Sequence, residues 1–575
     1  MKTSIDILFT GGKVFNPFLK QFMPFDVAVT EGKILYAGPS LSDAFEAKEI
    51  RDITGKYLIP GLVDSHMHIQ SSMMIPRTFS DAVIPHGVTT VISEPHEIAN
   101  VFGLAGVEAS LADAEGCDLD IRLAMPSSVP STREDLETTG AVIDIPDIDA
   151  MMKLPRTVCL GEVMNVHDVI YDKDCKSNRI IRYVMDHEPL WPIEGHCPRV
   201  TGLELATFIY RGVTSDHTEQ AMESMKQRLM NGVFVQLQGK SLHWDLLTYI
   251  DEAGLEDRLA FVTDDTMPDV LWRKGHLDQI LRKAMELGFP PEKAIYCATW
   301  TPSQRMRLFD RGAILPGRIA DLVVLEDLKT FSVESVYKEG RLVFPAADKK
   351  AERPLPYPDE YYHSVHVKPV TEDDFRIPAP IQEGTVTCRV AFMKDGTTMT
   401  TEGTADFPVR GGYIQWEETP YALACVMERH GKGGGKGFLF TGGIMMKEGA
   451  AATTYAHDSH NLLILGQNST DMARAANDVI EKQGGMSVVK DGAVTGSVRL
   501  PVAGILSDQP VSILGAEVES VKEALTAIGY THSNLIMSMT TLALPVSPAL
   551  KVTDKGVVDV KQMKLVPLVV EAREK

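Results

Sequence analysis

Eight short apolar stretches, each running into polar residues, alternate with amphipathic segments between residues 62 and 265. The stretches are LVDSHMH (62–68), VTTVISE (88–94), IRLAMPSS (121–128), TVCLGEV (157–163), LWPIEGH (190–196), GVTSDH (212–217), VFVQLQ (233–238) and LAFVTDD (259–265). The segments between them, such as HLDQILRKAMELG, have helical spacing and a glycine near the end. Eight strand–helix units in about 200 residues predict a parallel (β/α)8 barrel of the TIM type.

The predicted barrel spans residues 61–310, and the regions on either side of it are organised differently. The first 60 residues carry short alternating strands that are broken by glycine turns. A charged, proline-rich stretch at residues 349–378 is typical of a linker. Residues 379–575 mix strand-like and helix-like segments, which predicts an additional C-terminal α+β domain.

The composition excludes several classes of function. Lys and Arg number 57 against 78 Asp and Glu, a formal net charge of −21 that argues against nucleic acid or an anionic membrane as partner. No apolar run reaches the roughly 18 residues that a transmembrane helix needs. Seven cysteines without a CxxC pair favour reduced thiols and a cytoplasmic location.

Histidines and carboxylates stand at the C-terminal ends of these predicted strands. They are His66, His68, Glu94, Glu162, His196, His217 and Asp264. In a (β/α)8 barrel the C-terminal ends of the strands surround the active site. A single histidine at a strand end is more often structural, but core packing does not place several metal-type ligands at the same end of different strands. The pattern therefore predicts a metal site.

His66 and His68 are two residues apart on a strand, so both imidazoles face the same side and reach one ion. The further predicted ligands are Glu162, His196, His217 and Asp264. This donor set suits one or two divalent ions such as Mn, Fe or Zn. A bound ion lowers the pKa of water and makes hydroxide at neutral pH, and Glu162 or Asp264 can pass a proton to a leaving nitrogen.

Motifs spread over nearly the whole chain carry a family resemblance. They are HMHIQSSMM (66–74), GVTTVISEPHEIANV (87–101), GEVMN (161–165), EGHCP (194–198), SDH (215–217), FVTDD (261–265), EGAAATTYAHDSHNLLILG (448–466) and LPVAGILSD (500–508). The barrel motifs resemble the amidohydrolase superfamily. The whole chain more narrowly resembles the bacterial adenine deaminase family, because most amidohydrolases lack the C-terminal block.

The resemblance implies a fold and a reaction. Residues 1–60 and 311–348, which include ILPGRIADLVVL (314–325), resemble the small β-sandwich that the superfamily builds from both flanks of its barrel. The implied reaction is hydrolysis of the C6 amine of adenine to hypoxanthine and ammonia, in purine salvage. The resemblance further implies a binuclear Mn or Fe centre, with Zn also suited, and a homodimer or higher homo-oligomer. His96 and Glu97 are then candidates for holding the ring.

The chain departs from the family pattern near the predicted site. Gln70 replaces a glutamate, Arg199 replaces a glycine and Thr218 directly follows SDH. The seventh strand ends in LQGKS (237–241) instead of an Arg-Glu-Gly-Ser stretch. A lost carboxylate and a new guanidinium suit a substrate richer in carbonyl oxygens or acidic groups, so these changes predict altered specificity and poor adenine turnover.

Two other functions remain open from the sequence. One is a ring-opening cyclic amide hydrolase, although many of these carry a carboxylated lysine where this chain has Glu162. The other is a catalytically inactive binding protein, which the complete ligand set disfavours. His457, Asp458 and His460 form either a second metal site or, as we favour, a group that orients the barrel site or fixes a domain interface.

Overall fold

Eight parallel strands form the predicted barrel. The computed structural model describes residues 2–346 and 353–575. Its barrel strands, labelled β1 to β8, are Leu62–Met67, Val88–Ser93, Asp120–Met125, Thr157–Val163, Ile193–Gly195, Ser215–Asp216, Phe234–Leu237 and Leu259–Phe261. Strands β1 to β5 pair in chain order, as do β6 to β8, and a parallel bridge from Met67 to Asp264 closes the ring. The fold class is therefore confirmed.

Helices cover the outside of the barrel. They are Pro76–Val83, His96–Ala114, Ile145–Met152, Val166–Tyr171, Lys176–His187, Gly202–Tyr210, Met222–Met230, Trp244–Ala253, Pro268–Lys274, Leu277–Glu286 and Pro291–Arg305. In Lys176–His187, the residues Ile180, Ile181 and Val184 recur at helical spacing and are buried in one apolar cluster with Leu160 of β4. This apolar stripe holds the helix against β4.

The two flanks of the barrel pair in one sheet. A six-stranded sheet has the order Arg341–Phe344, Ser332–Lys338, Leu322–Asp327, Tyr57–Pro60, Lys13–Asn16 and Gln21–Pro24. A four-stranded sheet has the order Lys33–Gly38, Asp26–Thr30, Thr3–Thr10 and Phe45–Asp52. Phe9 and Tyr337 pack edge to face between the sheets, with ring centroids 5.0 Å apart. This pairing supports our proposed grouping of residues 1–60 with 311–348.

The predicted linker partly packs against the barrel. Its first residues, 349–352, lie outside the described residues. Further along, Tyr361 is buried and stacks on Phe102 of helix His96–Ala114, with ring centroids 3.9 Å apart. The segment after position 353 is therefore anchored to the barrel.

The C-terminal region is built on a large sheet. Its strands pair in the order Tyr413–Ile414, Thr400–Arg410, Gly384–Met393, Lys436–Gly443, Ala422–Met427, Leu462–Gly466, Ala450–Thr453, Gly485–Lys490 and Ala493–Arg499, and Val569–Glu574 pairs with Gly384–Met393. A small sheet holds Leu550–Thr553, Gly556–Asp559 and Lys564–Val566, and the helices are Ser469–Glu481, Val511–Ala527 and Leu535–Thr540. This mixture of strands and helices agrees with the predicted α+β domain.

The C-terminal domain contacts the barrel directly. Helix Val511–Ala527 crosses Pro268–Lys274 closely at Gly515, where an added Cβ would lie 3.1 Å from the carbonyl oxygen of Pro268. A parallel bridge joins Met74, beyond β1, to Ser507. None of the helices in the described part of the chain has the length and apolar character needed to cross a membrane.

Candidate active site

Three donor atoms from consecutive strands converge at one point. His196 Nδ1 and His217 Nε2 each lie 3.0 Å from Glu162 Oε2, and the two ring nitrogens lie 3.1 Å apart. His196 follows β5, His217 follows β6, and Glu162 lies near the end of β4. Metal–ligand bonds of about 2.0–2.2 Å allow a single ion to contact donors at this spacing. We call this group the first triad.

A second triad forms where the barrel closes. His66 Nε2 and His68 Nε2 each lie 3.4 Å from Asp264 Oδ1. The two imidazoles share a face of β1, and the Met67–Asp264 bridge places Asp264 beside them. His68 Nδ1 lies 2.9 Å from the carbonyl oxygen of Glu94, which fixes the ring so that Nε2 points to the centre.

Glu162 spans the two triads. Its Oε2 belongs to the first triad, while its Oε1 lies 3.4 Å from His68 Nε2. Burial would raise the pKa of this carboxyl, but His196 and His217 hold the pKa well below its usual range. Burial would likewise raise the pKa of Asp264, whereas the nearby imidazoles of His217, His66 and His68 keep it well below the usual range. Both carboxylates are therefore ionised acceptors at neutral pH.

The segment after β2 adds further buried donors. His96 Nδ1 lies 2.5 Å from Glu94 Oε2 and 3.5 Å from Glu162 Oε1. Glu97 Oε1 lies 3.5 Å from His68 Nδ1 and 3.3 Å from the Ser71 hydroxyl. The structure thus brings His96 and Glu97, two candidates for holding the ring, into contact with the predicted metal ligands.

The C-terminal domain reaches the same cluster. Asp458 Oδ1 lies 3.7 Å from His96 Nε2, and the Tyr455 hydroxyl donates to the carbonyl oxygen of Ser71 at 3.3 Å. His457 and His460 are buried beside them. Among the described residues, the groups of donors close enough to share an ion do not include His457, Asp458 or His460. The geometry therefore favours an interface role for these three residues over a metal site of their own.

Gln238 was missed by the sequence reasoning. It directly follows β7, and its amide nitrogen donates to Asp264 Oδ2 at 2.5 Å and to the carbonyl oxygen of His217 at 2.9 Å. The available signal was its position at the end of the stretch VFVQLQ, where the neighbouring strands carry their ligands. Gln238 therefore orients one member of each triad.

The predicted substrate residues Gln70 and Arg199 do not touch the triads in this structure. Gln70 is buried, and its amide nitrogen lies 3.4 Å from the Ser110 hydroxyl on helix His96–Ala114. Arg199 is exposed in the turn beyond His196, with a φ of 60°. The Thr218 hydroxyl donates a hydrogen bond to the carboxylate of Asp216. Within the described residues, the hydrogen bonds of Gln70 and Thr218 thus go to residues outside the two triads.

The residues present fit a pair of divalent ions. Five of the six triad residues are at most 6% exposed, and His66 Nε2 has no hydrogen-bond partner within the described residues. A buried ring nitrogen without a partner is costly unless it ligates an ion. Imidazole and carboxylate donors without thiolate suit Mn, Fe and Zn.

The barrel and its donor cluster define the amidohydrolase class. Residues 57–180 and 243–343 match the Amidohydrolase family, and residues 397–564 match the Adenine deaminase C-terminal domain. The chain is 44% identical to "Adenine deaminase 2" of Shouchella clausii over 99% of this chain and 100% of that protein. It is 43% identical to "Adenine deaminase" of Clostridium perfringens over 98% of this chain and 99% of that protein. The chain belongs to the adenine deaminase family and is a hydrolase of C–N bonds.

A solved structure of β-aspartyl dipeptidase from Fervidobacterium islandicum AW-1 is also similar. It aligns with a TM-score of 0.47 and 19% identity, over 60% of this chain and 99% of that chain.

Proposed function

We propose that this protein hydrolyses adenine to hypoxanthine and ammonia. The observation that carries the proposal is the pair of buried triads that Glu162 joins. In these triads the carboxylate oxygens lie 3.0 to 3.4 Å from the imidazole nitrogens. Near full-length relatives that bear the name adenine deaminase support the choice of substrate. In the reaction, water adds its oxygen to C6 of the ring and the amine leaves as ammonia.

Six residues hold the metal ions in this proposal. They are His66, His68, Glu162, His196, His217 and Asp264. When bound, divalent ions lower the pKa of a coordinated water and stabilise developing negative charge. Nitrogen and oxygen donors favour Mn or Fe, and Zn also suits them.

Asp264 and Glu162 are the proposed catalytic carboxylates. Asp264 Oδ1 faces the centre of the site, while Oδ2 is held by Gln238. Oδ1 accepts a proton from the attacking water and returns it to the amine nitrogen that leaves C6. Glu162 fixes the position of one triad relative to the other, because its two oxygens face different triads.

Glu97 is the proposed contact to the purine ring. It is 1% exposed, and its Oε2 has no hydrogen-bond partner within the described residues. A carboxylate oxygen of this kind accepts a hydrogen bond from a ring N–H. Gln70 and Arg199 have no hydrogen bond to the triads within the described residues, and the part in substrate binding and altered specificity predicted for these two positions stays a prediction.

The setting of the enzyme is also proposed. Seven free cysteines and an acidic composition are consistent with a cytoplasmic enzyme of purine salvage. A homodimer or higher homo-oligomer is expected from the family resemblance. A small heterocycle is the only partner that the buried cluster requires.

Ammonia release by Mn-loaded protein tests the proposal. We expect release from adenine, and a loss of at least about a thousandfold in kcat/KM for His217→Asn because the first triad loses a donor. The matched control is His167→Asn, a half-exposed histidine that lies outside the cluster and should retain activity. Hydrolysis of cyclic amides in place of adenine, or equal activity in both variants, would contradict the proposal.

A further inference from the structure

The loop between strands Ala450–Thr453 and Leu462–Gly466 carries buried polar side chains without partners. His457, Asp458 and His460 are at most 5% exposed. Within the described residues, both ring nitrogens of His457 and of His460, and the Oδ2 of Asp458, have no hydrogen-bond partner. Buried polar atoms are nearly always paired, because an unpaired one costs free energy. This group of unpaired atoms in one short loop therefore indicates a place for a polar ligand.

The backbone of this loop, by contrast, is held in place. The carbonyl oxygen of His460 accepts a hydrogen bond from the buried guanidinium of Arg429. The Asn461 amide nitrogen donates to the carbonyl oxygen of Thr138, in the loop after β3, at 2.8 Å. The backbone contacts are thus satisfied while the side chains are left unpaired, which is the arrangement of a preorganised binding site.

Asp458 places the loop at the candidate active site. Its Oδ1 lies 3.7 Å from His96 Nε2, and the Nδ1 of the same ring lies 3.5 Å from Glu162 Oε1. One imidazole ring therefore separates Asp458 from the carboxylate that joins the triads. His457 packs edge to face on Tyr455, with ring centroids 5.0 Å apart, and the Tyr455 hydroxyl reaches the barrel rim.

The unpaired atoms of Asp458 and His457 complement one edge of a purine. A carboxylate oxygen accepts hydrogen bonds, whereas a neutral imidazole offers one N–H donor. With C6 of adenine at the triads, the edge of the purine farthest from C6 is the one that carries N3 and N9. N9–H is a donor and N3 is an acceptor, so this edge matches a carboxylate beside an imidazole.

We propose that Asp458 Oδ2 accepts a hydrogen bond from N9–H of adenine and that the His457 ring donates one to N3. The inference rests on the proposed function, because it takes adenine as the substrate and places C6 at the triads. The C-terminal domain then contributes to specificity. A substituent on N9 removes the donor and leaves the Asp458 carboxylate buried without a partner, which disfavours binding.

Two substrate analogues test the two contacts separately. 9-Methyladenine lacks the N9 donor, and 3-deazaadenine lacks the N3 acceptor. Asp458→Ala should lower kcat/KM for adenine about 10- to 100-fold. It should also reduce the preference for adenine over 9-methyladenine and leave the preference over 3-deazaadenine unchanged. His457→Phe should have the converse effect on the two preferences.

The matched control is Asp491→Asn, at an exposed hairpin turn of the same domain, which should keep both preferences. Circular dichroism and thermal unfolding establish that each variant is folded. An equal loss of kcat/KM for adenine and both analogues would show a merely structural role and overturn the inference, while deamination itself would stand. A metal-loaded wild type that does not deaminate adenine would contradict the proposed function, and this inference with it.

A crystal structure of the wild type with the product hypoxanthine decides the matter even if both variants fail to fold. We expect N9 at about 2.7–3.2 Å from Asp458 Oδ2 and N3 at a similar distance from a ring nitrogen of His457. Hypoxanthine bound with C6 at the triads and its N3 and N9 edge turned to other residues would overturn the inference.

Discussion

Asp264 is held at both of its carboxylate oxygens. Oδ1 faces His66 and His68, while Oδ2 accepts a hydrogen bond from Gln238. We predict that Gln238→Leu lowers kcat for ammonia release about 10- to 100-fold, because an unanchored Asp264 no longer presents Oδ1 to the water. Gln562→Leu, at an exposed hairpin, is the control and should keep the wild-type kcat. An unchanged kcat in Gln238→Leu, with full metal content, would argue against this positioning role.

Lys551 gives a prediction about stability and pH. It is fully buried, its Nζ donates to the carbonyl oxygen of Thr398 at 3.1 Å, and burial lowers its pKa to about 7. An unfolded lysine titrates near pH ~10.4, so between these values the unfolded state binds the extra proton and stability rises with pH. Below about pH 7 both states are protonated, and the full penalty, on the order of 5 kcal/mol, applies.

Lys551→Met should therefore raise the Tm at pH ~6, and its advantage over the wild type should shrink as the pH approaches ~10. Thermal unfolding at several pH values measures both effects. Lys555→Met, at a partly exposed lysine, should show no such trend. A constant Tm difference across this pH range would mean that Lys551 does not titrate in the folded protein near neutral pH.

At the scale of elements, a helix anchors the strand that carries His217. Arg228, on helix Met222–Met230, forms a buried ion pair with Asp216 of β6 and donates to the carbonyl oxygen of Cys197, beyond β5. Burial would raise the pKa of Asp216, but Arg228 brings it down to about 2. The carboxylate is therefore charged in the folded protein and depends on its partner.

Arg228→Met should lower stability by about 3–5 kcal/mol, because the charge of Asp216 is left buried without a partner. The double variant Asp216→Asn/Arg228→Met should recover part of that loss. Thermal unfolding of both, with Lys226→Met on the same helix as control, measures the difference. A single variant as stable as the wild type, or a double variant less stable than the single, would contradict this assignment.

The strand ends were predictable, and other parts of the site were not. Each ligand at a strand end follows an apolar run, so His66, Glu162 and His217 could be placed on one rim from local pattern alone. Gln238 occupies the same kind of position, but an amide is neither a metal ligand nor a base of the expected type. The contact between His96 and Asp458 depends on domain packing, which no local pattern encodes. The metal-binding role of the six triad residues stays a prediction.

At the scale of the whole molecule, two domains close on one site. The bridge between Met74 and Ser507, the hydrogen bond from Tyr455 to Ser71 and the approach of Asp458 to His96 all join the C-terminal domain to the barrel rim. A closed site excludes bulk water, which strengthens the electrostatic interactions inside it. Residues of the barrel and of the C-terminal domain therefore both line this region.

Hydrolytic deamination of adenine at this site would transfer one oxygen atom from water to C6. The most direct measurement is mass spectrometry of the purine formed when Mn-loaded wild-type protein turns over adenine in water enriched in heavy oxygen. We predict hypoxanthine that carries one heavy oxygen atom at C6, with one ammonia released for each molecule formed. Unchanged adenine from protein shown to hold metal in both triads, or hypoxanthine without the heavy oxygen, would contradict the account.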